Sequence, residues 1–520
     1  MASRSAYLAE LRASVQALSL TALHQEDTSV DWGEFSGAPG QQHYRLLGYV
    51  ASQFRDRDIF DIGTHQGASA LALSYEASNR VCSFDVKAAD RALPRRPNVA
   101  YHVCDLWSPE RRAEWAPRLL ASAFIFLDVD PHEGTRELEL VQWLREQRYA
   151  GFVICDDVWY FKPMRDRFWH QVPTADKLDV TDVGHWSGTG VVRFAPSQLW
   201  PALATPENWT VVTAYFDLTR EPDASQPIRD RPPQHYLAHA NATLAISQNL
   251  VVYCDPEYEA AFWALRPPHL HARTRVVPCG LADFPMTQHR AELEANRRKR
   301  PSADPRNTAS YYLFCMARYA MVRRALDEDV FGSTRFAWCN VCIERMGWRN
   351  AAALDAVWDA QRAKVSTVWI DYIPRALVND DPVYWLWGRC SFCSGFWTGD
   401  PASLRRFCER IEAKFLEYLR KGYGHADEQL YSPIYFEDPE LFDWYLGDYT
   451  EMVTNYVEPR ERSYQPVRLL LRNSVAAGDR VVAVRAAEKL LRAWTAGRTD
   501  LTPEQARELA GWAAATAIEH

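Results

Sequence analysis

No run of about 18 apolar residues occurs in the chain, so no stretch of it reads as a membrane-spanning helix. The opening segment, MASRSAYLAELRASVQALSL, lacks the continuous apolar core and small-residue cleavage site of a secretion signal. Its Tyr7, Leu8, Leu11, Val15 and Leu18 recur with helical period instead. Positive charge is scarce. Lys+Arg 59 against Asp+Glu 67 leaves a net charge of −8, which excludes a surface built to coat nucleic acid. The one dense basic run, Arg297-Arg298-Lys299-Arg300, reads as a solvated linker. Fixed-period repeats and low-complexity tracts are also lacking, and with 47% hydrophobic and 24% charged residues the chain is neither disordered nor fibrous. Eleven cysteines, an odd number without an export signal, indicate reduced thiols and a cytoplasmic location. What the chain has in abundance is tryptophan, 20 residues, most of which are expected to fill cores.

At about 150 residues per domain, the length of 520 favours roughly three domains. Over residues 1–200, short runs rich in Val, Ile and Phe (IFDIG, RVCSFDV, VAYHVCDL, AFIFLDV and GFVICDDV) alternate with amphipathic stretches such as TRELELVQWLREQ. That βαβα order predicts an α/β domain with a parallel sheet covered by helices. The Pro-bounded segment 195–209 marks a junction. A second α/β region is expected over 206–465, with strands at TVVTAYFDL, NLVVYCD, TRVVPCGL, RFAWCNVCI and TVWIDYI, and with a charged linker around 290–307. From 466 to 520 the chain turns rich in Ala, Leu and Arg at helical spacing, which predicts a small C-terminal helical cap.

The most informative stretch is FDIGTHQGASALALS, in which an acid ends a strand and glycines follow: Asp61, Gly63, Gly67. Gly63 permits a tight turn, and Gly67 lets the backbone pass close to a ligand at the start of a helix. Neither G-x-G-x-x-G nor a phosphate-binding Lys is present, so a dinucleotide or nucleoside triphosphate fits less well. The second strand ends at Asp85, which can accept hydrogen bonds from both hydroxyls of a ribose, and Asp105 closes the third. The fourth and fifth strands run into Asp128, in FLDVDPHEG, and into Asp156-Asp157. Carboxylates at the C-terminal ends of neighbouring parallel strands converge on one sheet edge, so this trio can hold a hard divalent cation. His132 can take a proton there.

This order of motifs resembles the class I S-adenosylmethionine-dependent methyltransferases, in particular the metal-dependent O-methyltransferases of the catechol and macrocin types. The resemblance implies a Rossmann-like fold, S-adenosylmethionine held by Asp61, Gly63, Thr64, Gly67, Asp85 and Asp105, and Mg or Mn on Asp128, Asp156 and Asp157. His132 and Asp128 are then the catalytic candidates. Two departures stand out: Asp156-Asp157 occupies the place of an Asp-Asn pair, and Pro131 shifts the histidine by one position. The segment GHWSGTGVVRF reads as the closing hairpin of this sheet, with no chemistry assigned to it.

In the second region, TVVTAYFDLTR runs a strand into a polar loop whose Tyr215 and Arg220 can seat a base and its diphosphate; Asp255 ends the next strand in the same way. From there through YYLFCMARYAMVRRA, FAWCNVCI, CSGFWTGD and GHADEQLYSPIYFEDPELFDWYLGDYTEMVTNY, the chain resembles the bacterial HtrL/YibB proteins, which look like GT-A-type glycosyltransferases linked to lipopolysaccharide loci. The resemblance implies a nucleotide-sugar donor and a carbohydrate acceptor. Asn340 stands where that pattern has the Asp of a Trp-x-Asp motif, a weaker ligand for a hard cation. Asp427 and Glu428 are the catalytic candidates, His425 a further ligand candidate, and Trp397 a stacking surface or a packed core residue. Two C-x-x-C pairs, Cys339/Cys342 and Cys390/Cys393, read as buried thiols, with a zinc site as the alternative. Together these readings describe a bifunctional enzyme that O-methylates a sugar hydroxyl and transfers a sugar. The rivals are a methyltransferase acting on a catechol-like molecule, and a methyltransferase joined to a non-catalytic carbohydrate-binding module. Association with a membrane surface stays open, and so does the oligomeric state.

Overall fold

The Val-, Ile- and Phe-rich runs of the first 200 residues become strands Asp58–Ile62 (β1), Arg80–Asp85 (β2), Val99–Val103 (β3), Phe124–Leu127 (β4) and Phe152–Cys155 (β5), followed by Lys177–Asp179 (β6) and Gly190–Arg193 (β7). They form one sheet in the order β3-β2-β1-β4-β5-β7-β6. The first five are parallel, β7 runs antiparallel to β5, and β6 antiparallel to β7. Strands β1, β4 and β5 are buried at every position, which is why they read as continuous apolar runs and not as alternation. Helix Arg4–Ala17 contributes Leu11 and Val15 to the core, and helix Thr135–Glu146 buries Leu140, Val141 and Leu144. Chain order reverses at β1, whose neighbours are β2 on one side and β4 on the other. Such a switch point opens a crevice at the carboxyl ends of the strands.

The computed structural model describes residues 4–31, 33, 35, 40–203, 208–302, 304–360, 362, 364–386, 390–457, 464–495 and 501–517. Two units divide the chain, Met1–Thr205 and Pro206–His520. The second is also built on a seven-stranded sheet: Trp209–Tyr215 (β8), Asn249–Cys254 (β9), Thr274–Pro278 (β10), Arg335–Cys339 (β11), Ser366–Trp369 (β12), Phe392–Gly399 (β13) and Tyr445–Leu446 (β14), in the order β10-β9-β8-β11-β13-β12-β14. Strands β10, β9, β8 and β11 are parallel, and β13 is antiparallel to both β11 and β12. The entrance half of β13 therefore lies beyond the C-terminal end of β11. Helices Ala309–Glu328 and Pro401–Arg420 cover one face. The C-terminal helices Tyr464–Ala476 and Arg480–Thr495 send Val467, Leu470, Val482, Ala486 and Leu490 into the same core, so they are part of this unit.

The expected charged linker is a helix, Arg290–Lys299. Leu293 is fully buried, and the basic residues are used structurally: Arg297 donates to the Gly424 carbonyl (2.8 Å), while Arg300 donates to that of Gly422 (2.8 Å) and covers the Tyr423 ring. Among the described residues, no helix is long and apolar enough to cross a membrane.

Candidate functional sites

The loop after β1 is shaped by the chain's own packing. Gly63 and Thr64 both donate to the Phe84 carbonyl (2.9 and 3.0 Å). At Gly63 φ is +111°, and a Cβ there would fall 1.6 Å from the Asp128 carbonyl oxygen, so only glycine lets the β1 loop cross the end of β4. Gly67, expected to make room for a ligand, presents its bare side to Pro94, whose Cδ would be 2.5 Å from a Cβ. Thr64 is buried and shares a 2.6 Å hydrogen bond with Ser83 Oγ.

Asp61 is enclosed and not open to the crevice. Its Oδ2 accepts from Ser83 Oγ (2.6 Å) and Ser69 Oγ (3.2 Å), while Oδ1 is buried without a hydrogen-bond partner among the described residues. Burial pushes its pKa up to about 7 against the opposing pull of the two serines. A carboxyl raised in the native state keeps a proton that the unfolded chain has already released. Stability from this group is thus full below 3.8 and declines as pH rises to about 7. Asp61→Asn should flatten that decline in the first unit's melting temperature between these limits; an unchanged pH profile would show that Asp61 does not carry the proton.

Asp85, half-buried at the end of β2, accepts from the His65 and Lys87 backbone N–H groups (both 3.0 Å), one on each oxygen, which leaves lone pairs on both. Asp105 lies exposed just past β3 and accepts from Trp107 N (2.9 Å).

At the ends of β4 and β5, the expected Asp128–Asp156–Asp157 trio is drawn into two overlapping groups that include histidines. Asp128, His132 and Asp157 form one, and Asp156, Asp157 and His185 the other; within each, the ligand atoms lie within 4.8 Å of one another. His132 Nε2 is 3.2 Å from Asp157 and 3.3 Å from Asp130. His185 Nδ1 is 3.2 Å from Asp156, whose other neighbours are Thr189 Oγ1 (3.4 Å) and His43 Nε2 (3.9 Å). Burial and the charges of Asp156, Asp157, Asp61 and Asp130 push Asp128 well above the carboxylate range. Asp157 is raised by burial and then by Asp156. Asp156 is lowered, because His43 and His185 outweigh the upward push of burial. His185 itself is raised, the Asp156 bond overcoming the opposite effect of burial, whereas fully buried His43 is pushed down to about 4.

Sequence reasoning missed His43 and His185. His43 sits on helix Gly40–Ser52 with nothing local to mark it. His185 belongs to the segment given no chemistry, although a His-Trp-Ser run between glycines just before a strand was a usable signal.

In the second unit, Asp255, Asn340, Asp427 and Glu428 all come to the edge formed by the C-terminal ends of β8, β9 and β11. A 540 Å³ cleft beyond β8 and β9 is lined by Phe216, Asp217, Asp255, Asp283, Phe284 and Arg290, among others, and not by Asn340, Asp427 or Glu428. Tyr215 and Arg220 do not line it. Tyr215 is 4% exposed and packs on Tyr236, Tyr258 and Phe262, and Arg220 turns to Asp217 (2.9 Å) and Glu257. Asp255 accepts from Asp217 N (2.7 Å), and Arg290 bonds Ser310 Oγ (2.7 Å) and Glu221 (2.9 Å).

Asn340 donates its backbone N–H to the Gly395 carbonyl (2.9 Å), and its Oδ1 accepts from Trp338 Nε1 (3.0 Å). Glu428 accepts from Ser394 N (2.8 Å), Ser394 Oγ (3.1 Å) and Tyr449 OH; burial and then Asp427 raise its pKa. Asp427 accepts from Tyr319 OH (2.9 Å) and lies 3.6 Å from Arg318, which donates to Ser394 Oγ (2.8 Å). Arg318 is 4% exposed, a buried cation absent from the sequence reading, and its Nε has no partner among the described residues. His425 is buried on the Arg300 carbonyl (3.0 Å), its pKa pushed down to about 4 by burial, and Trp397 stacks on Tyr319 in the core at 5.6 Å; neither is at a surface. All eleven cysteines are free, and among the described residues no cysteine joins a group of metal-ligating side chains.

No curated protein matches the chain. Solved structures similar at low identity include the following three. Mouse xyloside xylosyltransferase 1 in its apo form is 13% identical over 46% of this chain and 85% of its own, with a TM-score of 0.26. Cofactor-bound Rv0187 from MTB is 16% identical over 34% of this chain and 88% of its own, at 0.24. Core-mannan synthase A from Aspergillus fumigatus, in a Mn/GDP form, is 13% identical over 48% and 75%, at 0.27. Residues 207–456 match the family described as a bacterial protein of unknown function, HtrL_YibB.

Proposed function

We propose that the first unit transfers a methyl group from S-adenosylmethionine to a sugar hydroxyl with the help of a divalent cation, and that the second transfers a sugar from a nucleotide-sugar donor to a carbohydrate acceptor. One observation carries the first half: the glycine loop after β1, the acid ending β2 and the carboxylate–histidine cluster after β4 and β5 meet at one edge of the sheet, at its switch point. The residues fit the cofactor. Asp85 keeps lone pairs on both oxygens for a vicinal diol. They fit Mg or Mn as well, since Asp128, crowded by carboxylates and pushed towards neutrality, is relieved by a cation. Asp128 and Asp157 would hold it. When bound, it supplies the charge that lowers the pKa of a coordinated hydroxyl. His132 takes the hydroxyl proton at Nε2, the atom 3.2 Å from Asp157. His185 holds Asp156 ionised beside this pair.

In the second unit, the cleft at Asp255 and Arg290 is of nucleoside size. Arg290, which lines that cleft, provides positive charge for a departing diphosphate, and Glu428, raised by burial, suits a general base for the acceptor. A second reading, a binding module without catalysis, draws on Asn340, whose side-chain oxygen is already engaged by Trp338.

Calorimetry should find S-adenosylmethionine binding that Asp85→Ala weakens by about 1.5–3 kcal/mol per charge-assisted bond lost. Methyl transfer should vanish after EDTA treatment and desalting and return with Mg or Mn. Unchanged affinity in the variant, or full activity without metal, overturns this half. For the second unit, thermal shifts with uridine, guanosine, cytidine and thymidine diphosphates, with and without Mn, decide between transferase and binding module. Stabilisation by none of them favours the module.

A further inference from the structure

The geometry points to Tyr160 and Trp186 as an acceptor platform in the first unit that takes the face of a sugar ring; this deepens the methyl-transfer reading and rests on it. An unbroken chain of rings runs around the carboxylate cluster. His132 stacks on Phe161 with centroids 4.4 Å apart, Phe161 meets Tyr160 edge-on at 5.1 Å, Tyr160 meets Trp186 at 4.9 Å, and Trp186 meets His185 at 5.7 Å. The two ends of this chain are the histidines of the two groups that share Asp157. Its middle is open to solvent: Tyr160 is 46% and Trp186 44% exposed, among the most exposed large apolar side chains described. Exposed aromatics contiguous with a polar cluster mark a ligand surface more than a core.

The pair is also held in place. Val158 donates to the Gly188 carbonyl (3.1 Å), and Trp159 and Tyr160 donate to that of Ser187 (3.1 and 2.7 Å), lacing the loop after β5 to the loop before β7. Gly188 is required for this contact: φ is +116°, and a Cβ would sit 2.6 Å from Trp159 N. A platform fixed before the ligand arrives loses little entropy on binding.

The shape selects a sugar. The negative face of an aromatic ring attracts polarised C–H groups. A pyranose offers such a face, with hydroxyls at its rim that need polar partners, here the carboxylate–histidine cluster at the two ends of the ring chain. A flat arene such as catechol gains most between parallel, enclosing faces, whereas Tyr160 and Trp186 cross at 70° and leave an open corner through which the rest of a glycoside can extend.

The test uses the full chain and a panel of methyl glycosides, with catechol alongside, read by saturation-transfer NMR. Ring protons of at least one methyl glycoside should receive saturation in the unsubstituted protein, lose it by about tenfold in Trp186→Ala, and keep it in Trp186→Phe, which retains a ring. S-adenosylmethionine affinity should be the same in all three. Glycoside contact that ignores Trp186→Ala overturns the platform; so does catechol contact that depends on Trp186 when the glycosides show none. If the cofactor fails to bind while glycoside contact still depends on Trp186, the platform stands and the methyl-transfer reading falls.

Discussion

Asp157→Asn is expected to reduce methyl transfer by about 10²–10⁴-fold at saturating cofactor. Asp157 is the residue shared by both carboxylate–histidine groups, 3.2 Å from His132 and beside Asp156 in sequence. Asn keeps the shape but removes the charge that holds a hard cation, so two readouts should fall together: the turnover number, and the number of Mn ions retained in a paramagnetic-resonance titration. Asp176→Asn is the control, because Asp176 belongs to neither carboxylate–histidine group and pairs with Arg145 at 2.7 Å. Full turnover with metal retained in Asp157→Asn would remove this residue from the chemistry.

Arg318→Met is expected to destabilise the second unit by about 3–5 kcal/mol, the usual penalty for breaking a buried ion pair from one side. Arg318 is buried on helix Ala309–Glu328, 2.8 Å from Ser394 Oγ and 3.6 Å from Asp427. Removing it leaves Asp427 with Tyr319 OH and without a cation. The double variant Arg318→Met/Asp427→Asn should recover most of the loss, since no uncompensated charge remains buried. Urea unfolding followed by tryptophan fluorescence measures both. A single variant within about 0.5 kcal/mol of the parent would show that the pair is not a buried ion pair in solution.

These two residues also show what could be read in advance. Asp157 was legible because strand-end carboxylates in a βαβ pattern converge by topology, whatever the details of packing. Arg318 was not. On a helix whose buried residues lie on every side, an arginine gives no periodic signal to set it apart from a solvated one. The glycines of the first loop were found, but Gly67 was given the wrong neighbour, because only the folded chain brings Pro94 against it. Tyr215 and His425, given as site candidates, are buried, and Trp397 takes the packed-core alternative, for a common reason. Aromatic and imidazole groups beside polar residues suit a binding face and a core equally well in one dimension, and burial decides between them. The basic run at 297–300 failed similarly, its guanidinium groups having been given to solvent when they satisfy carbonyls of the 421–424 loop.

By itself the sequence determined the α/β class, the strands of both sheets apart from β6, β13 and β14, and the edge on which the acidic residues gather. These follow from local hydrophobic runs and from the single hand of parallel crossovers, which short-range patterns carry. Tertiary structure alone decided which side chains meet there. His43 and His185 reach Asp156 from segments on either side of it in the chain, Tyr160 and Trp186 come together across two laced loops, and Arg318 finds Asp427 from another helix. Each of these pairs is made by contacts between residues far apart in sequence, and no period or spacing along the chain records them.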